Sequence, residues 1–252
     1  MAFIAKTSDP RDWKVIASTI QTLVEDATFD ATPESLNFRA MDPSHVALVD
    51  MVWPNSAFEK YDCDKEFKFS VRVEDFVKLI KRADSKDSLE ISSSDDETIR
   101  VKMEGGYSRE FKLHLMESVD SPTPLPKLNF KSKTHLTEGT FEKILSDIST
   151  ISDHVTIESK MEDILFTGKS DKGTASVSLS KNSEGVLEHE VSEDSKATYS
   201  IEYIANIVKA AGSASDTLVF EYSSKMPLRL QFKLGDSGGL IDFYLAPRID
   251  EK

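Results

Sequence analysis

Two segments lying 128 residues apart, VEDFVKLIKRA at 73–83 and IEYIANIVKAA at 201–211, decide the fold of this chain. In both segments the apolar residues recur at helical spacing, so that Phe76 in the first copy takes the place of Ile204 in the second. Apolar residues three and four positions apart form one buried face of a helix. Each segment is therefore predicted to be an amphipathic helix, and the pair indicates an internal duplication.

The same correspondence continues on both sides of these segments. Trp13 and Ile16, at helical spacing, match Phe141 and Ile144, which predicts a second pair of helices. Leu36 and Phe38 match Ile164 and Phe166 with strand-like alternation, and the strand-like segments 89–91, 99–103 and 111–115 match 218–220, 228–232 and 241–245. The last pair needs a shift of 130, as small insertions in loops would produce. Each half thus reads as helix, strands, helix, strands, an α+β arrangement.

A proline-rich segment, MESVDSPTPLPKLN at 116–129, separates the two halves. Its three prolines are incompatible with a helix and disfavour a central strand. We therefore predict an N-terminal domain at 1–116, an extended connector at 117–129 and a C-terminal domain at 130–252.

Composition restricts the classes of protein that need to be considered. The chain has no apolar run near the ~20 residues that a membrane span requires, and its single cysteine, Cys63, agrees with a reducing, intracellular compartment. A cytoplasmic protein and a nuclear protein would both fit this composition. The net charge of −13 argues against non-specific nucleic-acid binding, but it does not say where the cations lie.

The string GDSGG at 235–239 resembles the surroundings of the nucleophile in trypsin-like serine proteases. That chemistry requires a histidine base and an orienting aspartate, and the chain has no matching histidine segment. The repeat places GDSGG opposite the turn around Gly105 and Gly106, between two strands. A turn is the favoured interpretation, and a hydrolase using Ser237 remains the alternative.

Other catalytic or cofactor signals are weak. The five histidines, His45, His114, His135, His154 and His189, have no metal-ligand spacing, and no phosphate-binding loop or GxGxxG occurs. We expect no metal, no cofactor and no catalytic residue.

The positions of the cations are more informative than their number. Lys14 lies opposite the apolar stripe of the first helix, and Lys78, Lys81 and Arg82 do so on the second. Lys143 and Lys209 recur in the other half, whereas Asp and Glu are expected mainly in loops and strands. A solvated helix face would explain one helix alone, but the recurrence favours an anionic ligand.

Several strings make the chain resemble the proliferating cell nuclear antigen family of archaea and eukaryotes. They are MDPSHVALV at 41–49, YDCD at 61–64, LM at 115–116 and LAPRI at 245–249, in order along the whole chain. The resemblance implies two similar domains, each with two helices packed on curved antiparallel sheets in the DNA clamp fold, and three chains in a closed ring.

The resemblance also implies roles for individual residues. The expected DNA-facing cations are Lys14, Lys78, Lys81, Arg82, Lys143 and Lys209, although Gln21, Ser146 and Thr150 stand where relatives often carry basic or histidine residues. The expected subunit interface joins two unpaired sheet edges and comprises Phe111, Leu113, Leu115, Ala175, Val177 and Leu179. A proline at Val177 is predicted to remove an edge hydrogen bond and release monomers.

Partner proteins of the resembling family insert short peptides of the form Gln-x-x-aliphatic-x-x-Phe-Phe beneath the connector. The matching positions here are Met41, His45, Val46, Leu125, Pro126, Pro227, Tyr244, Leu245, Ala246 and Pro247. Packing of Leu125 against Tyr244 would be an alternative reason for such apolar residues. The expected partners are double-stranded DNA, a clamp loader, DNA polymerase, flap nuclease and ligase.

The sequence therefore predicts a non-enzymatic sliding clamp that encircles DNA and recruits replication and repair proteins. A monomeric adaptor that never binds DNA is the alternative that the acidic charge favours.

Overall fold

The computed structural model describes residues 3–95, 97–117, 124–125, 127–235 and 238–249. The chain divides into two compact units, residues 1–124 with 233–241 and residues 125–232 with 242–252. The domain limits predicted from the sequence remain a proposal. In the described part of the chain, no helix is long and apolar enough to cross a lipid bilayer.

Helices form at the four positions that the repeat predicts. They are Arg11–Gln21 (α1), Val73–Ile80 (α2), Glu138–Ser149 (α3) and Ile201–Ala211 (α4). Helix α2 is shorter than predicted, because it ends at Ile80 and Lys81 and Arg82 lie on the turn that follows. There the Arg82 N–H donates to the carbonyl of Leu79, three residues earlier, at 2.9 Å. This is the spacing of a 3₁₀ turn, one residue shorter than the α-helical spacing, and it closes the helix.

The strands of the first half form two antiparallel sets. They are Phe3–Thr7 (β1), Asp26–Ala31 (β2), Ser35–Met41 (β3), Ala47–Pro54 (β4), Lys60–Asp62 (β5), Phe67–Arg72 (β6), Ser88–Ser93 (β7), Thr98–Glu104 (β8) and Ser108–His114 (β9). One set has the order β5-β1-β7-β8-β9, and the other has the order β4-β3-β2-β6.

The second half repeats this arrangement. Its strands are Ser132–Thr137 (β10), His154–Ser159 (β11), Asp163–Ser170 (β12), Gly173–Ser180 (β13), Val186–Val191 (β14), Ser195–Ser200 (β15), Thr217–Tyr222 (β16), Leu228–Leu234 (β17) and Gly239–Leu245 (β18). They have the orders β14-β10-β16-β17-β18 and β13-β12-β11-β15. Strand for strand, this is the order of the first half, so the predicted duplication and the α+β class are confirmed.

Aromatic side chains join the helices to the sheets in each unit. In the first unit the rings of Trp13 on α1 and Phe76 on α2 have centroids 6.3 Å apart, and Phe29 of β2 lies 5.6 Å from Phe76. In the second unit Phe141, the repeat mate of Trp13, lies 5.6 Å from Phe220 of β16. All five side chains are almost fully buried. Burial of such large rings contributes strongly to each core and fixes the helices on the sheets.

Gly235 and Gly238 of the GDSGG string lie between β17 and β18, as the turn interpretation predicts, and Gly239 begins β18. Gly235 and Gly238 have φ angles of +52° and +83°, a region that side chains disfavour. Asp236 and Ser237 lie outside the described residues.

Candidate nucleic-acid interface and assembly edges

The cations predicted in the first unit lie on α1, on α2 and on the turn after α2. Lys14 is half-buried, whereas Lys78, Lys81 and Arg82 are exposed. The Lys81 ammonium donates to the Gln21 side-chain oxygen at 3.5 Å, which brings the C-terminal ends of the two helices together. The exposed cations after α2 therefore lie beside the end of α1, whose last turn carries Gln21 and no basic residue.

Lys78 contributes less free charge at this end of the helices than Lys81 does. Its ammonium lies 2.5 Å from the Glu74 carboxylate one turn earlier. The hydrogen bond raises the pKa of Lys78 and lowers the pKa of Glu74, so both groups stay ionised and largely neutralise each other.

In the second unit the predicted cations are exposed, with one on each helix. Lys143 lies on α3, and Lys209 lies in the last turn of α4. At the start of α3, burial and the carboxylates of Glu142 and Asp216 raise the pKa of Glu138. Acidic groups thus crowd this end of the helix.

Most acidic residues lie in loops and strands, as predicted, but the helices also carry some of them. Exposed carboxylates also occupy the helices, at Glu74, Asp75, Glu142, Asp147 and Glu202. Acidic side chains in a first helical turn, such as Glu74 and Glu202, interact favourably with the helix dipole. The helices therefore carry charges of both signs, and their cations are few.

The predicted subunit edges are terminal strands of their sheets. Among the described residues, β9 pairs with β8 on one side and β13 pairs with β12 on one side. Phe111 and Leu113 lie opposite Val101 and Ile99, which are fully buried, and Val177 and Leu179 are likewise half-buried opposite Phe166 and Ile164. Leu115 and Ala175 are also half-buried. Each terminal strand thus extends the core layer of its sheet with apolar side chains that are only half covered.

The hydrogen bonds show which backbone groups face the open edges. The Leu115 N–H donates to the Glu97 carbonyl at 2.8 Å, and the Lys181 N–H donates to the Glu162 carbonyl at 2.8 Å. In an antiparallel pair, the backbone groups of every second residue form hydrogen bonds to the same neighbouring strand, and those of the residues between them point the other way. The odd-numbered residues of β9 and β13 therefore bond within the chain, and the N–H groups of residues such as Lys112 and Ser178 point outward.

The end of β3 and the loop that leads to β4 present three of the residues predicted to bind partner peptides. The buried carboxylate of Asp42 accepts hydrogen bonds from the backbone N–H groups of Val46 at 2.7 Å and Ala47 at 2.6 Å. His45 has a φ of +58° and is exposed. Met41 and Val46 are half-buried on either side of it. The motif around Asp42 thus folds as a fixed turn that exposes His45.

The remaining predicted peptide-binding residues belong to the second unit. Leu125 is 39% exposed, and Pro227, Ala246 and Pro247 are half-buried, whereas Pro126 lies outside the described residues. The side chains of Tyr244 and Leu245 are buried in the core. A peptide would therefore meet chiefly the backbone of that pair.

The C-terminal segment is fixed by a contact that sequence reasoning did not single out. The Arg248 N–H donates to the Thr198 carbonyl at 2.7 Å, and the Arg248 guanidinium lies 3.0 Å from Nδ1 of His154. The segment after β18 thus lies beside β15. Arg248 belongs to the LAPRI string, but its pairing with a histidine 94 positions earlier has no sequence signal.

Comparison with known proteins agrees with this geometry. The family description "Proliferating cell nuclear antigen, N-terminal domain" matches residues 3–119, and the corresponding C-terminal description matches residues 124–248. The DNA polymerase sliding clamp of Nitrosopumilus maritimus is 49% identical over 250 residues, 99% of this chain and 100% of that protein. That of Cenarchaeum symbiosum is 48% identical over 249 residues, 99% of each chain.

Solved structures give the same answer for the fold. PCNA from Thermococcus kodakaraensis superposes with a TM-score of 0.92 at 24% identity, covering 98% of this chain and 100% of that one. The PCNA2–PCNA3 complex from Sulfolobus tokodaii provides a chain with a TM-score of 0.89 at 31% identity, covering 97% and 99%.

Fold and comparisons together define the class as that of the sliding clamps, which are scaffolds and not enzymes. Within the described residues, no cluster of three or more His, Cys, Asp or Glu could hold a metal ion. The chain belongs to the proliferating cell nuclear antigen family.

Proposed function

We propose that three copies of this chain close into a ring around duplex DNA, with β9 of each copy pairing with β13 of the next. The observation that carries the proposal is the matched pattern of the two edges. Outward N–H groups lie at even-numbered residues of both strands, and half-buried apolar side chains lie at odd-numbered residues of both. An antiparallel pairing that joins Lys112 to Ser178 therefore sets Leu113 against Val177 and Phe111 against Leu179.

Closure of the ring satisfies both edges at once. A head-to-tail contact uses different surfaces on its two sides, and it ends in a closed ring only when the rotation returns to the first copy. Each closed contact removes two strand edges that would otherwise promote aggregation.

The ring would act as a tether and would hold DNA polymerase on its template. Topology prevents escape, so Lys14, Lys78, Lys81, Arg82, Lys143 and Lys209 need only weak phosphate contacts that permit sliding. The net charge of −13 would repel DNA from the rest of the surface.

Native mass spectrometry of the purified chain tests the ring directly. We expect a species at three times the chain mass of 28.2 kDa. Because one kind of chain is present, this result would also show that paralogues are not required. A single-chain mass at every concentration would contradict the ring and support the monomeric adaptor.

We further propose that short peptides from partner proteins bind at the turn around His45, at Leu125 and at the C-terminal segment. Exposed apolar side chains near a chain segment that a peptide can pair with are typical of peptide-binding surfaces. The partners would be a clamp loader, DNA polymerase, flap nuclease and ligase, in the cytoplasm of a cell related to the archaeal sources of the similar clamps.

Replacing Leu125 with alanine should weaken a Gln-x-x-aliphatic-x-x-Phe-Phe peptide about tenfold, because a central apolar anchor contributes ~1–3 kcal/mol. Isothermal titration calorimetry measures the affinity. Met161, which is 70% exposed in the turn between β11 and β12, provides the control, and Met161→Ala should bind like the parent. Equal affinities for the parent and Leu125→Ala would remove Leu125 from the site.

A further inference from the structure

Arg109 connects the assembly edge to the end of α2. It lies on β9 in the same row as Phe111 and Leu113, opposite Met103 of β8. Its guanidinium donates to the Arg82 carbonyl at 3.0 Å and forms an ion pair with the Asp87 carboxylate. The Arg109 side chain thus links the edge strand β9, on which it lies, to the turn that carries Lys81 and Arg82.

Asp87 is the centre of this contact. Only 2% of the residue is exposed, and its carboxylate also accepts the Asp84 N–H at 2.7 Å, which closes the loop after α2. A Cβ atom at Gly105 would collide with the same carboxylate, so the turn between β8 and β9 lies directly against it. The loop at 81–87 and the first residues of β9 are therefore held by one buried carboxylate and one guanidinium.

The second half of the chain lacks this connection. At the repeat shift of 129 residues Asp87 corresponds to Asp216, but at the shift of 130 Arg109 corresponds to Gly239. The carboxylate is present in both copies, and the arginine is present only at β9. The ion pair is thus specific to the strand that we assign to the subunit contact, and general packing of the repeat does not require it.

We propose that Arg109 is a positioning residue that couples ring closure to the presentation of Lys81 and Arg82. When β9 is paired with a neighbouring copy, it holds Arg109 in place, and Arg109 fixes the loop at 81–87 through Asp87 and the Arg82 carbonyl. When the edge is open, the loop exchanges more readily among conformations. This inference rests on the proposed ring, and it adds a connection between the assembly edge and the DNA-facing surface.

Hydrogen exchange of the full-length chain tests the coupling. In the parent, the amides of 81–87 should exchange at least about fivefold more slowly in the ring than in a monomeric Ser178→Pro variant, whose change lies on the other edge. Arg109→Lys keeps the charge but loses the forked geometry that reaches both acceptors. At protein concentrations where Arg109→Lys still forms rings, the difference between ring and monomer should fall below about twofold.

Arg100→Lys on the neighbouring strand is the matched control. Arg100 makes a longer ion pair to Glu110, at 3.9 Å, and both side chains are about a third or more exposed. This variant should keep the parent's slowing. An equal slowing in Arg109→Lys and the parent would overturn the coupling, even if both form rings.

A failure of the ring itself gives a different result. If the parent never assembles, the proposed function is wrong, and the monomer still tests the connection. In the monomer, Arg109→Lys should accelerate exchange in β9 and in 81–87 together. Acceleration confined to β9 would overturn the role of Arg109.

Discussion

A proline at Ser178 is expected to convert the ring into monomers, raising the dissociation constant of the subunit contact at least about 100-fold. The Ser178 N–H points away from β12, toward the open edge of β13, so proline removes a donor from the contact between copies. A carbonyl left unpaired at a buried contact costs ~1–3 kcal/mol, and the proline ring adds a steric penalty. Analytical ultracentrifugation over a dilution series measures the change.

Ser178→Ala provides the matched control, because it removes the hydroxyl and keeps the backbone N–H. This variant should remain trimeric at the concentrations where Ser178→Pro dissociates. The Ser178→Pro monomer should keep the thermal unfolding midpoint of its core within a few degrees, since the β12–β13 hydrogen bonds remain. A wholly trimeric Ser178→Pro chain at low concentration would show that β13 is not the assembly edge.

The residue pattern of β13 predicts which side chains face the core, but it does not predict which backbone N–H groups face the open edge. Apolar alternation correctly identified Val177 as a residue of the edge strand, and for that reason Val177 was also the predicted place for proline. The structure corrects that choice, because the Val177 N–H bonds inward to β12. The alternation assigns a face to each side chain, but hydrogen-bond direction depends on pairing register, which a single strand does not encode.

The repeat predicted the fold because the helical and strand-like spacing of apolar residues occurs at matching positions in both halves of the sequence. Trp13 and Phe141 share a position, and both are core residues of helices against sheets. The limits of α2 were less predictable, since Lys81 continues the helical pattern in sequence although the helix ends at Ile80. Propensity changes little at such a boundary, and local hydrogen bonds decide it.

Long-range polar contacts were beyond sequence reasoning. Arg109 and Asp87 are separated by 22 positions, and Arg248 and His154 by 94. No spacing rule links such residues, because the tertiary fold alone brings them together. For the contact of Arg109 with Asp87, the sequence offers one signal, the difference between the repeats, because Gly239 stands at the position of Arg109.

Reversing the charges of Lys81 and Lys209 together should flatten the dependence of DNA affinity on salt by about two units of slope. Each phosphate contact releases about 0.9 counterion, so losing two contacts lowers the slope of log affinity against log salt concentration by that amount. Both lysines are exposed at the C-terminal ends of their helices, and neither is a residue of β9 or β13. Ring assembly should therefore be unchanged.

The control must carry the same change in net charge. Lys60 on β5 and Lys225 before β17 are exposed, one in each unit, and both lie outside the helices. Lys60→Glu with Lys225→Glu should leave the slope near that of the parent, whereas Lys81→Glu with Lys209→Glu should reduce it. Because both double variants shift the net charge equally, a difference between them reports the position of the cations. Equal slopes in the two variants would mean that the helix surface does not face DNA.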